Sequence, residues 1–264
     1  MQVQNSRPPV LCIGGLDPSG GAGLQADIEA IASCGAHALP IASCLTIQNS
    51  IQTFCVSAVD PALIEQQAHA LLADMPITSC KIGVVPNEAI ANAIAKILAQ
   101  LPNVPVVFDP VLSASQGCDF SNSATINSIK DVLLPMVSVV TPNLKELVKL
   151  TDNNNDLYYQ AELLCKLGPK YVLATGADCD TAHVHNTLFS CDGLKAKYEW
   201  PRLPHMYHGS GCTLSSAIAA YLALNYDMID AIEKAQHYTW QSLQHAQQIG
   251  HGQWIPTRIP LVKY

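Results

Sequence analysis

The chain has 264 residues, 49% of them hydrophobic and 13% charged, with a formal net charge of −7. These values suit one large α/β domain with a substantial core and apolar surface left over for a subunit interface, and the acidic balance argues against a nucleic-acid surface. No apolar run approaches the roughly 18 residues that a membrane span needs, and Met1 to Pro9 has no apolar core of signal-peptide length.

In chain order, the apolar run 10–13 predicts a strand, followed by a glycine-rich turn and a helix over 24–31. A second strand covers 41–47 and ends at the polar pair Gln48-Asn49; 54–59 reads as a short edge strand. Residues 61–73 predict a helix that starts at a proline, with Asp60 as its cap. Residues 79–85 read as a strand, and 87–101 as a helix with Ile90, Ile94 and Leu98 on one face. The strand 104–108 ends at Asp109-Pro110, the helix 126–134 follows, and the strand 137–140 ends at Thr141-Pro142-Asn143. A short helix over 144–150, a polar loop at 152–156, a helix over 159–167 and a strand over 171–174 come next. Residues 183–190 and 194–200, joined by Asp192-Gly193, look like a hairpin. Long helices over 211–224 and 228–249 close the chain. This alternation predicts a single domain over residues 1–264: a doubly wound, mostly parallel sheet with helices on both faces.

Two glycine-rich turns carry the chemistry. Gly14 to Gly23 links the first strand to the first helix, where an open α/β sheet forms its ligand crevice. It meets neither the Rossmann fingerprint nor the Walker pattern. His208-Gly209-Ser210-Gly211-Cys212 leads into a buried helix. A helix N-terminus favours an anion, and Cys212 stands in its first turn. That suits phosphoryl transfer, with Gly209 and Gly211 shaping the backbone around the moving phosphate and Cys212 taking a proton. The competing reading is a capped core helix with Cys212 as a small buried hydrophobe. Asp109 and Glu146 each follow a strand, where two carboxylates can hold Mg²⁺ near phosphate oxygens; alternatively, Asn143 and Glu146 simply cap a helix. The ten cysteines are scattered without a Cys-x-x-Cys pair, pointing to a reducing cytoplasm, no disulfide framework and no zinc site.

The motifs agree in order and spacing with one family. Asp17-Pro18-Ser19-Gly20-Gly21-Ala22-Gly23 with Gln25-Ala26-Asp27, Gln48-Asn49, Lys81-Ile82-Gly83, Asp109-Pro110-Val111, Thr141-Pro142-Asn143-Leu144 with Glu146, and His208 through Ser215 span nearly the whole chain. It resembles the hydroxymethylpyrimidine and phosphomethylpyrimidine kinases of thiamine biosynthesis, in the ribokinase-like group. The resemblance implies ATP and Mg²⁺ as cofactors, a pyrimidine substrate and a homodimer. It implies a substrate site at Gly15, Ala22, Asp27, Gln48 and Val84, where Gln48 and Asp27 meet the aminopyrimidine. It implies ATP contacts at Asn143, Thr175, Gly176 and Ser210, metal contacts at Asp109 and Glu146, and Cys212 as proton acceptor. Pyridoxal kinase activity, or a silent ligand-binding protein of the same fold, are the alternatives. The chain departs from its relatives at Ser115 and at Ala174-Thr175-Gly176-Ala177, where lysines are common, and at Val84 and Leu16.

Overall fold

The computed structural model describes residues 7–113, 120–154, 156–177 and 179–259; Ser115 and Cys118 lie outside them. Its strands are β1 (Pro9–Leu16), β2 (His37–Gln48), β3 (Thr53–Ala58), β4 (Ser79–Ile82), β5 (Val106–Phe108), β6 (Val139–Val140), β7 (Tyr171–Ala174), β8 (His183–Ser190) and β9 (Gly193–Pro201). They form one sheet in the order β3-β2-β1-β4-β5-β6-β7-β8-β9. The six strands from β2 to β7 in that order pair in parallel; β3, β8 and β9 pair antiparallel at the edges. The helices are α1 (Gly23–Ser33), α2 (Pro61–Asp74), α3 (Glu88–Leu98), α4 (Ser123–Ser128), α5 (Leu144–Thr151), α6 (Leu157–Lys166), α7 (Ser210–Ala223) and α8 (Met228–Gln244).

Side chains alternate across a strand, so the central strands feed two cores. Leu11 and Ile13 of β1, with Val106 and Phe108 of β5, join Ile64, Ile94, Leu147 and Leu164 from α2, α3, α5 and α6. Val10 and Cys12, with Val107, join Leu24, Ile31, Ile218 and Ile232 from α1, α7 and α8. Helix α7 is buried from Thr213 to Ala220, as its run of small and apolar residues requires.

The differences from the expected elements have local causes. The helix expected over 126–134 begins earlier, at α4, where the Asn122 side chain accepts from the Thr125 amide. It then widens into a π-turn over Ile129–Leu133 and tightens over Leu134–Met136, because Pro135 cannot donate to the α ladder. Helix α8 stops at Gln244, short of 249, and the chain turns back so that Gln247 pairs with Ile255. Strand β4 ends at Ile82, short of the expected 85. Among the described residues, no helix is long and apolar enough to cross a membrane.

Candidate active site

Strand β1 pairs with β2 on one side and β4 on the other. The chain first runs outward to β2 and later resumes at β4, so the order reverses between β1 and β4. Crevices of open α/β sheets form at that point, beyond the carboxyl ends of the strands. The residues after β1, β4, β5, β6 and β7, namely the first glycine loop, Gly83-Val84, Asp109, Asn143 and Thr175, therefore share one edge.

Asp17 organises the first loop. Its Oδ1 accepts from the Ser19 amide at 2.8 Å; its Oδ2 accepts from Ser19 Oγ and the Ala22 amide, both at 2.9 Å. The same Oδ2 lies 2.9 Å from His208 Nε2 in the second loop. Burial alone would raise the Asp17 pKa, but the hydrogen bonds from His208 and Ser19 outweigh it and lower it to about 2.

Two glycines bring the loops into contact. Gly23 has φ +57° and Gly209 φ +72°, values that disfavour any other residue. A Cβ on Gly23 would lie 2.2 Å from the Gly15 carbonyl oxygen, and one on Gly209 would lie 2.3 Å from that of Gly21. Arg258, from the last described segment, braces the junction. It is buried, and it donates to the Gly21 and His208 carbonyls, to Thr213 Oγ1 at 2.8 Å and to Glu29 at 3.3 Å.

Cys212 follows Ser210 and Gly211 in the first turn of α7. The Gly23 amide donates to its sulfur. Burial pushes the thiol up to about 12; Lys81 opposes this, and Asp109 and Asp27 reinforce it. Desolvation thus outweighs the helix N-terminus here. Asp109 is buried at the end of β5, and its Oδ2 accepts from Ser215 Oγ at 3.3 Å. A Cβ on Gly211 would lie 3.5 Å from that oxygen, so a side chain there would fill the space over the carboxylate. Burial raises the Asp109 pKa, with Lys81 pulling it down and Asp27 pushing it up.

The other expected residues have these surroundings. Gly15 sits over Cys44 and Val84: a Cβ on it would approach their sulfur and Cβ to 3.0 and 3.8 Å. Ser43 donates to the Val84 carbonyl at 2.6 Å and fixes that wall. Gln48 ends β2, where Thr53 Oγ1 donates to its Oε1 at 2.7 Å, turning the amide nitrogen away from Thr53. Asn143 and Glu146 form a reciprocal capping box on α5, each bond 2.9 Å. Thr175 bonds back to the Pro142 carbonyl, and Gly176 packs its Cα face on the His185 carbonyl.

Asp27 corrects the expectation that it meets the substrate ring. It has no exposed surface; its Oδ1 is held by Lys81 Nζ at 2.8 Å and by Ser216 Oγ at 2.7 Å. It underlies the crevice rather than lining it. Asp17 and Lys81 stand in the motifs read from the sequence but were given no role there; Arg258 and Ser216 were not singled out. Lys81 is also the one charge in the apolar stretch 79–85.

Residues 17–257 match the family model described as phosphomethylpyrimidine kinase. A hydroxymethylpyrimidine/phosphomethylpyrimidine kinase of Synechococcus elongatus is 36% identical over 93% of this chain and 95% of its own length. One from Escherichia coli is 31% identical over 92% and 94%. A probable thiamine biosynthetic bifunctional enzyme of Oryza sativa is 32% identical over 93% of this chain, which spans only 46% of that larger protein. A Bacillus subtilis pyridoxal kinase in complex with ADP superposes with a TM-score of 0.87 at 24% identity, over 96% of this chain and 98% of its own; that likeness establishes the ribokinase-like fold. The motifs, the fold and these matches agree: the chain belongs to the phosphomethylpyrimidine kinase family.

Proposed function

We propose that the chain transfers phosphate from ATP to the hydroxymethyl group of 4-amino-5-hydroxymethyl-2-methylpyrimidine, and then phosphorylates the monophosphate to the pyrophosphate. The observation that carries this reading is the junction of the two glycine loops, which sets Cys212 and the N-terminus of α7 beside Asp109 at the sheet's switch point. Backbone N–H groups at a helix start stabilise charge on a moving phosphoryl group. The thiolate form of Cys212 takes the hydroxyl proton and becomes the thiol. Gly15, Ala22 and Val84 hold the flat ring, Gln48 reads its amino group and adjacent ring nitrogen, and Asn143, Thr175, Gly176 and Ser210 border the nucleotide.

Asp109 and Glu146 fit Mg²⁺. Both are buried carboxylates just past strands β5 and β6. Mg²⁺ is usually held by one or two carboxylates together with substrate phosphates. When bound, it screens phosphate charge. Replacing Glu146 with glutamine raises the Mg²⁺ concentration for half-maximal rate; a titration that overlays wild type removes Glu146 from the metal site.

The substrate assignment predicts a higher kcat/KM for the hydroxymethylpyrimidine than for pyridoxal or pyridoxine, which lack the amino group. Equal or better use of pyridoxine reverses the assignment. Gln48→Ala should raise KM for the pyrimidine about tenfold or more, the cost of an unpaired polar edge, with little change for ATP. An unchanged pyrimidine KM and kcat excludes Gln48 from the site.

Leu45 and Ile47 are 49% and 64% exposed on one face of β2, the strand next to the edge strand β3. Such an apolar patch supports the homodimer. Light scattering should report a dimer that Leu45→Asp/Ile47→Asp converts to monomer; a monomeric wild type overturns it. Free thiols such as Cys12, Cys80 and Cys165 support a reducing, cytoplasmic setting.

A further inference from the structure

Beneath the crevice lies a set of charges that the proposed chemistry has not yet used. Lys81 of β4 is wholly buried, and its ammonium contacts Asp27 of α1 at 2.8 Å. Burial alone would strip its proton; Asp27, then Cys212 and Asp109, keep it charged. The pair reaches up between two backbones that have no side chains. A Cβ on Gly83 would lie 3.0 Å from Lys81 Nζ, and one on Gly14 would lie 3.4 Å from Asp27 Oδ2. That Oδ2 is buried without a hydrogen-bond partner. A pair selected for stability alone would leave no such orphan, since an unsatisfied buried acceptor is costly.

The link to α7 is direct. Cys212, Ser215 and Ser216 lie three and four residues apart, on one helix face. Ser215 bonds Asp109, and Ser216 bonds Asp27 on the oxygen that Lys81 also holds. Arg258, the other buried cation nearby, is committed to Glu29 and to loop carbonyls. Among the described residues Lys81 is thus the buried cation bonded to Asp27, and the charges of Cys212 and Asp109 also act on it.

We propose that Lys81 is a positioning residue for phosphoryl transfer: its ammonium holds Asp27, and through Asp27 and Ser216 the second turn of α7, directly behind Cys212, while offsetting the carboxylates that would otherwise repel an entering phosphate. This rests on the reading that transfer occurs at Gly209–Cys212. Lys81 neutralises Asp27 by direct contact and also acts on the charge of Asp109, so loss of Lys81 leaves an anionic floor under an anionic substrate.

The test compares wild type, Lys81→Met, Lys81→Met/Asp27→Asn and Ser216→Ala. Lys81→Met strands a buried carboxylate and should lower the thermal midpoint by roughly 10 °C. The charge-neutral double variant should regain most of that midpoint. Its kcat should stay down about 100-fold, with the pyrimidine KM within about threefold of wild type and the Kd of AMP-PCP with Mg²⁺ raised about tenfold. Recovery of both kcat and Kd in the double variant makes the pair purely structural and overturns the proposal. Ser216→Ala removes no charge and keeps the chain foldable if the double variant is not. It should lose about tenfold in kcat with a smaller fall in midpoint than Lys81→Met, and an unchanged kcat overturns the clamp. A wild type that turns over no pyrimidine sinks the substrate reading instead. The AMP-PCP arm then decides Lys81, an unchanged Kd in the double variant counting against it.

Discussion

Replacing Cys212 with serine should lower kcat for the first phosphorylation by about 10²- to 10⁴-fold, the usual contribution of a general base, while ATP still binds. The serine hydroxyl is far harder to deprotonate than the thiol. The structure adds a pH signature. Burial, with Asp109 and Asp27, pushes the thiol up to about 12 against the pull of Lys81, so the thiolate is a minor species at neutral pH and grows with pH. If Cys212 is the base, log kcat for wild type should climb by about one per pH unit between pH 7 and 9, and the serine variant should show no such slope. Iodoacetamide inactivation should steepen with pH in the same way, and bound pyrimidine should protect. Cys212→Asp should keep part of the rate, because a carboxylate at the same point can also take the proton. Near wild-type activity in the serine variant assigns Cys212 to packing and leaves transfer to the backbone of the loop.

Replacing Asp17 with asparagine should unsettle both glycine loops at once. The carboxylate accepts from Ser19, Ala22 and His208, and a neutral amide cannot accept on both atoms. The Asp17 pKa falls from 3.8 to about 2 on folding, which corresponds to about 2 kcal/mol. The sign is that of a depressed carboxylate: the contribution is full above pH 3.8 and disappears as pH falls through about 2. Urea unfolding at pH 7 should show the variant about 2 kcal/mol weaker, and the gap should narrow between pH 4 and 2. Because His208 opens the second loop, kcat/KM should drop about 10²-fold, as expected when reacting groups shift by about an ångström. A stability gap that does not change with pH would show that Asp17 is not ionised through this network.

The parts of this protein that live in short windows were legible from the chain alone. Strand–helix alternation announced the doubly wound sheet, since periods of two and of 3.6 are local properties of a sequence. Asp60 and Pro61 began α2 as their types require. The two glycine loops, Asp109 and the Asn143–Glu146 spacing were visible as turn chemistry. The same local view left Asn143 and Glu146 open between cap and metal, and their two bonds in the structure are those of a cap.

What depended on distant partners was not legible. Asp27 looked like a crevice wall one turn into a helix, yet Lys81 lies 54 positions away and Ser216 lies 189 away. Only the packing of α1 and α7 against β1 and β4 brings the three together. Arg258 braces Gly21 across 237 positions, which no spacing rule could anticipate. The position of Cys212 in the first turn of α7 favours the thiolate, and packing opposes it. Tertiary burial decided the balance, because desolvation of a charge grows with the protein packed around it, and no window of sequence contains that quantity.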